Sequence, residues 1–241
     1  MHPSIQPQRA IRELPDELIS QIAAGEVVER PASVVRELVD NALDAGATHI
    51  TVRLLSGGVR LISVEDNGAG IPADELPIAL KRHATSKITN LNELESVGTM
   101  GFRGEALAAI HSVSELSLLS RTAQQDHATR LDGRSGELQA AARALGTTVE
   151  VKELFYSTPA RRKFLKTDAT ELAHCIEAVR RHALARPDVR FTLSHNGKTV
   201  DHWQESSLEQ RSAHILGDEF ALARLPLEEA AGPLSLHGFV G

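Results

Sequence analysis

The sequence predicts an α+β protein with a largely antiparallel sheet. Three features carry that expectation: a helix with start and stop signals over 31–46, β-rich runs joined by tight turns at Ser56-Gly57-Gly58 and His195-Asn196-Gly197, and a second long helix over about 168–186. The chain has 241 residues, 41% hydrophobic and 24% charged, which places it among globular proteins and excludes collagen-like or wholly disordered chains. Aromatic residues are only 3%, so the core must rest on Val, Ile, Leu and Ala, and little surface is left for stacking unpaired bases.

In chain order, residues 1–15 are polar and aperiodic and read as a mobile N-terminal arm, followed by a short helix from Asp16 to about Ala24. The 31–46 helix opens on Pro31, closes on Gly46 and spaces Val34, Val35, Leu38, Ala42 and Leu43 along one face. Strands over about 48–55 and 59–65 form a hairpin. From Asp66 to Gly104 regular signals thin out, apart from a helix at about 73–80, and the stretch reads as a long functional loop. A helix over about 104–111 then leads into strands near 114–121, 127–132, 136–142 and 147–153, which extend the sheet. The 168–186 helix and a hairpin over about 190–203 complete a domain spanning 16–205. Residues 206–241 hold a short helix signal and strand-like runs at Phe220–Leu225 and Leu234–Val240, too little to bury a core, and are expected to begin a second domain that is cut short.

Cys175 is the single cysteine, which excludes an internal disulfide and a multi-Cys zinc site and suits a reducing, cytoplasmic setting. No stretch of the first thirty residues has signal-peptide character and no run approaches the length of a membrane span. The eleven histidines lack metal-ligand spacing. The net charge of −6 leaves any nucleic-acid contact to a local patch. One such patch is legible: residues 156–186 carry Arg161, Arg162, Lys163, Lys166, Arg180, Arg181 and Arg186 against three acidic residues, although a solvated helix face gives the same composition.

Three constellations carry chemistry. Glu37, Asn41 and Asp44 lie at i, i+4 and i+7, on one helix face opposite the apolar stripe, where polar residues are also ordinary on a solvated surface. Asp66-Asn67-Gly68-Ala69-Gly70 follows a strand; its glycines let backbone approach a flat ligand, and its aspartate can accept a hydrogen bond, although a plain turn reads the same way. Gly98-Thr99-Met100-Gly101-Phe102-Arg103-Gly104 opens into a helix, where unpaired N–H groups at the positive dipole end either seat a phosphate or simply cap the helix. No P-loop and no Gly-x-Gly-x-x-Gly after a strand is present, so a nucleotide would be held another way.

Together with Gly146-Thr147-Thr148 opening a late strand, these pieces resemble the GHKL ATPase superfamily of type II topoisomerases, heat-shock chaperones, histidine kinases and MutL proteins. Within it, Gln21-Ile22-Ala23-Ala24-Gly25-Glu26-Val27-Val28-Glu29-Arg30-Pro31-Ala32-Ser33-Val34-Val35, Asn41-Ala42-Leu43-Asp44-Ala45-Gly46-Ala47, Arg82-His83-Ala84-Thr85-Ser86-Lys87, Gly101-Phe102-Arg103-Gly104-Glu105-Ala106-Leu107 and Thr158-Pro159-Ala160-Arg161-Arg162-Lys163-Phe164-Leu165 are similar to the N-terminal ATPase region of the MutL mismatch repair family. The resemblance implies the GHKL (Bergerat) fold, a two-layer sandwich of a mixed, mostly antiparallel sheet with helices on one face, and an ATP-driven dimerisation switch.

It also implies roles. Glu37 is the general base, Asn41 holds Mg2+, and Asp66 accepts the adenine amino group beside Gly68 and Gly70. Thr148 supports the adenine side, and Thr85, Ser86, Lys87, Gly101, Phe102, Arg103 and Gly104 close over the phosphates. DNA contacts fall to Arg161, Arg162, Lys163 and Lys166, and the implied partners are a second copy of the chain, the mismatch sensor MutS and strand-processing repair enzymes. Gly98 and Ala42 depart from frequent family residues without disabling the site. The family lysine that reaches the γ-phosphate from the second domain is not present in the sequence, so slow turnover is expected. The alternative is a DNA-bound scaffold that holds ATP without hydrolysing it; a histidine kinase is disfavoured for want of a phosphoacceptor helix.

Overall fold

The computed structural model describes residues 27–87 and 104–241 together with Glu13, Pro15, Ile19, Gln21, Ala24 and Gly25. Of the helix expected over 16–24, the described residues Ile19, Gln21 and Ala24 are helical.

Helix α1 runs Pro31–Asp44, with Pro at its first position, where the missing N–H costs nothing, and its side chains Val34, Val35, Leu38, Val39, Ala42 and Leu43 buried. Strands β1 (His49–Leu55) and β2 (Leu61–Asp66) pair antiparallel across a tight turn at Ser56–Gly58. The helix expected at 73–80 shrinks to α2, Leu76–Ala79. Then come α3 (Ala106–Ser112), β3 (Glu115–Arg121), β4 (Ala128–Asp132), β5 (Leu138–Ala141), β6 (Gly146–Lys152), a short α4 (Pro159–Arg162) that sequence periodicity does not foretell, and α5 (Asp168–Ala185). The hairpin of β7 (Arg190–His195) and β8 (Lys198–Trp203) turns at Asn196-Gly197 as expected.

These strands form one eight-stranded sheet in the order β5-β4-β3-β6-β2-β1-β7-β8. Only β1 with β7 is parallel. Alternation decides which face is covered. Ile50, Val52 and Leu54 of β1, Ile62 and Val64 of β2, Leu116 and Leu118 of β3, Val149 and Val151 of β6 and Phe191 and Leu193 of β7 all point into the core beneath α1 and α5. The other face carries polar pairs such as Arg53 with Glu65 at 2.8 Å. Cys175 is fully buried on α5; burial, reinforced by Glu171 and opposed by Arg30, pushes its thiol up to about 12, so it is an inert core residue.

Beyond the hairpin, α6 (Leu208–Leu216) begins with a capping box between Ser207 and Gln210. Packing continues across the expected division at 206. Arg211, only 1% exposed, donates to the carbonyls of Ala183, Arg186, Pro187, Val189 and Gln204, and Arg180 donates to that of Ile215. The strand expected at Phe220–Leu225 is corrected: residues Asp218–Ala223 form helix α7 and the strand starts at Leu225. The reason is local, since Gly217 at φ +91° ends α6, and Asp218 and Glu219 then favour the positive end of a new helix. Strands β9 (Leu225–Ala231) and β10 (Leu234–Val240) pair only with each other, leaving Leu225, Leu234 and Leu236 exposed.

Candidate nucleotide site

Asp66 ends a buried apolar row. Because β2 alternates, Asp66 falls on the same helix-facing side as Ile62 and Val64, and it is only 8% exposed. Its Oδ1 accepts the N–H of Gly68 at 2.8 Å and of Thr147 at 3.2 Å. Oδ2 accepts no hydrogen bond from the described residues. Burial raises the Asp66 pKa above its ordinary 3.8, partly offset by those two N–H groups and by Arg143, which also donates to the Asp66 carbonyl at 2.9 Å.

The inward rows of β3 and β6 turn polar at the same level: the Ser120 and Thr147 hydroxyls are 2.9 Å apart, and Ser120 Oγ accepts the Ile71 N–H at 2.7 Å. Here the structure corrects the expectation for Thr148. Its side chain lies on the opposite face of β6, while the Thr147 main-chain N–H donates to Asp66 and the Thr147 hydroxyl meets Ser120 on the inward face. The signal was available: Val149 and Val151 must face the core, and a period of two puts Thr147 with them.

The glycines of this loop are required first by the chain itself. A Cβ on Gly68 would come within 2.7 Å of the Ala45 carbonyl, and one on Gly70, at φ +78°, within 2.2 Å of the Arg121 carbonyl. With the Ala69 N–H donating to Ala45 O at 2.9 Å, the loop is fastened to the C-terminal end of α1, the helix that carries Glu37, Asn41 and Asp44.

On that face Glu37, Asn41 and Asp44 are all half-buried, as the i, i+4, i+7 spacing requires. Among the described residues Glu37 Oε1 has one weak contact, Arg36 at 3.4 Å. The Lys87 ammonium donates to Asn41 Oδ1 at 2.9 Å and to Asp44 Oδ2 at 2.5 Å. A neutral amide oxygen and a carboxylate oxygen are the hard donors that Mg2+ prefers, and here a protein cation already sits between them, so these residues fit a divalent ion. Lys87 is aimed by a local turn in which its N–H donates to Thr85 Oγ1 at 3.1 Å, while Ser86 is exposed. Gly104 lies against the Ala84 carbonyl, and His83 Nδ1 is 3.3 Å from Glu105 Oε1, so the start of α3 adjoins this loop. Gly101, Phe102 and Arg103 lie outside the described residues.

The basic segment is thinner in space than in sequence. Arg180, Arg181 and Arg186 are engaged by the Ile215 carbonyl, Glu177 and Asp188, and the Arg161 guanidinium packs against Gly25. Arg162, Lys163 and Lys166 remain exposed, with Arg162 3.8 Å from Glu153. Beside them an open groove of about 610 Å³ is lined by Arg30, Leu165, Lys166, Thr167, Thr170 and His174. It adjoins the N-terminal ends of α1 and α5, whereas Asp66 adjoins the C-terminal end of α1.

The family profile of the histidine kinase-, DNA gyrase B- and HSP90-like ATPases matches residues 29–155, the stretch that contains Asp66, Glu37 and Asn41. The chain is 64% identical to the DNA mismatch repair protein MutL of Ralstonia nicotianae, covering 97% of this chain and 37% of that protein. It is also 64% identical to MutL of Janthinobacterium, covering 100% and 40%. The solved Aquifex aeolicus MutL ATPase domain complexed with ADP superposes with a TM-score of 0.70 at 33% identity, over 89% of this chain and 78% of that one. The chain therefore belongs to the MutL family, of which it represents the N-terminal ATPase region, and it spans about two fifths of the length of those curated relatives.

Proposed function

We propose that the chain binds ATP in the cleft between Asp66 and the acidic face of α1, hydrolyses it with Mg2+, and couples that cycle to pairing of two copies during DNA mismatch repair. The observation that supports this reading is the fastening of the Asp66 loop to the C-terminal end of α1, the helix that carries Glu37, Asn41 and Asp44.

Asp66 Oδ2 accepts the adenine amino group; guanine presents a carbonyl at that position, so two acceptors would face each other and ATP is preferred over GTP. Asn41 would hold Mg2+ through Oδ1; when bound, the ion offsets the charge of the phosphate oxygens. Lys87 exchanges its Asn41 and Asp44 contacts for the phosphates, joined by Thr85, Ser86 and the Gly104 amide. Roles for Gly101, Phe102 and Arg103 rest on the sequence resemblance. Glu37, with 24% of its side chain exposed and no strong partner among the described residues, orients the attacking water and takes its proton.

The nucleotide biases the chain toward the paired state because it contacts elements that pairing must order. Arg162, Lys163 and Lys166 contribute non-specific backbone contacts to DNA, and MutS and strand-processing enzymes are the partners the family suggests. The ATPase body extends through α6, held by Arg211, and the following unit begins after Gly217. Single-turnover hydrolysis by wild type and Glu37→Gln tests the reading: a large loss of rate with ATP still bound supports it, and equal rates favour an ATP-holding scaffold.

A further inference from the structure

One imidazole is held at both ends by acceptors. His182, near the end of α5 with 11% of its side chain exposed, has Nδ1 2.8 Å from the Ala178 carbonyl oxygen and Nε2 2.8 Å from Asp40 Oδ1 on α1. A carbonyl oxygen only accepts, and so does an ionised carboxylate, whereas a neutral imidazole carries one N–H. A neutral ring would therefore leave one acceptor facing a lone pair. The imidazolium satisfies both contacts as charge-assisted donors. Burial and the nearby Arg36 oppose that charge, but the bonds to Asp40 and Ala178 and the Asp40 charge outweigh them, and His182 titrates above its ordinary 6.5.

Asp40 is the residue between the two that matter most on α1. At 100° per residue it lies about 60° around the helix from Glu37 and precedes Asn41 directly. Its carboxylate is 16% exposed and turned toward α5 by His182. Without that partner it would stand as a further negative charge beside the face that must accept a polyphosphate, and α1 would lose its one charged tie to α5 among the described residues.

We propose that His182 is a positioning residue for the nucleotide site, pinning α1 to α5 at the level of Glu37 and Asn41 and cancelling the Asp40 charge. The proposal rests on the ATP reading above. Nothing in the family motifs of the chain includes either residue, so the pair adds a determinant that those motifs do not contain.

The test has two arms on the intact chain. Nitrogen NMR of the wild-type ring at about pH 7, where an unperturbed histidine is mostly neutral, is expected to show both ring nitrogens of His182 protonated. A singly protonated ring overturns the proposal. Titration of a fluorescent ATP analogue with Mg2+ into His182→Gln is expected to show affinity lowered about tenfold, while adenosine, which meets only the Asp66 end, binds as in wild type. Asp40→Asn combined with His182→Gln is expected to bind no more weakly than His182→Gln alone. Unchanged affinity for the analogue, a parallel loss of adenosine, or additive losses in the double variant each overturn it. A wild-type chain that binds no ATP analogue overturns the ATP reading itself, a result separable from wild-type binding that His182→Gln leaves intact.

Discussion

Asp66 is held by main-chain N–H groups, one from the loop that follows it and one from strand β6, whereas Asn41 and Asp44 share a lysine side chain as a hydrogen-bond donor. The first arrangement is set by the sheet register and the Gly68 and Gly70 contacts, so the Asp66 carboxylate is held in place by the chain itself. In the second, the shared donor is a flexible side chain whose ammonium can rotate away from both oxygens. On the proposed ATP reading, the contrast teaches that one chain can keep a rigid acceptor for the part of a ligand that never changes and a movable cation for the part that reacts.

The sharpest way to break the comparison is at Glu37. Glu37→Gln is expected to slow single-turnover hydrolysis by roughly 10²–10⁴ while ATP affinity changes little, because the side chain touches water rather than the base. The rigid end responds differently. Asp66→Asn keeps an oxygen for the Gly68 and Thr147 N–H groups but sets an amide N–H₂ against the adenine amino group; calorimetry should show ATP affinity reduced by about 1.5–3 kcal/mol with folding preserved. Equal affinity would mean that Asp66 is structural only.

Away from the cleft, Arg162→Glu with Lys163→Glu should weaken DNA binding and lower the slope of log affinity against log salt by roughly one to two, since both side chains are exposed. The same exchange at Arg161 should act mainly through packing, because its guanidinium lies against Gly25. The smallest effect is a pH dependence of stability. The folded pKa of His182 is raised, so its pair with Asp40 contributes fully below the unfolded value of about 6.5, and that contribution is lost as pH rises through the folded value. Chemical denaturation of wild type across neutral pH should show that decline, and His182→Gln should flatten it.

Much of the fold was legible because its strongest elements obey local rules. The Pro31 start, the Gly46 stop and the apolar spacing between them define α1 within two residues, and Asn196-Gly197 marks the β7–β8 turn. The acidic face of α1 followed from helical geometry alone. The Thr147 contact escaped because two adjacent threonines look alike until strand alternation is applied, and α7 escaped because Phe220-Ala221-Leu222-Ala223 suits either state and only the Gly217 break decides it. Arg211 was invisible for another reason: the five carbonyls it gathers come from residues 183–204, and no local pattern announces that they converge.

What the order of residues determined by itself is chemical inventory and periodicity: which helix bears the carboxylate and amide, which strand ends in an aspartate, and which family these motifs belong to. What only the tertiary structure decided is adjacency. Lys87 reaches Asn41 across 46 positions and His182 reaches Asp40 across 142, and such pairings depend on where packed helices and loops come to rest, a long-range outcome that no short-range rule encodes.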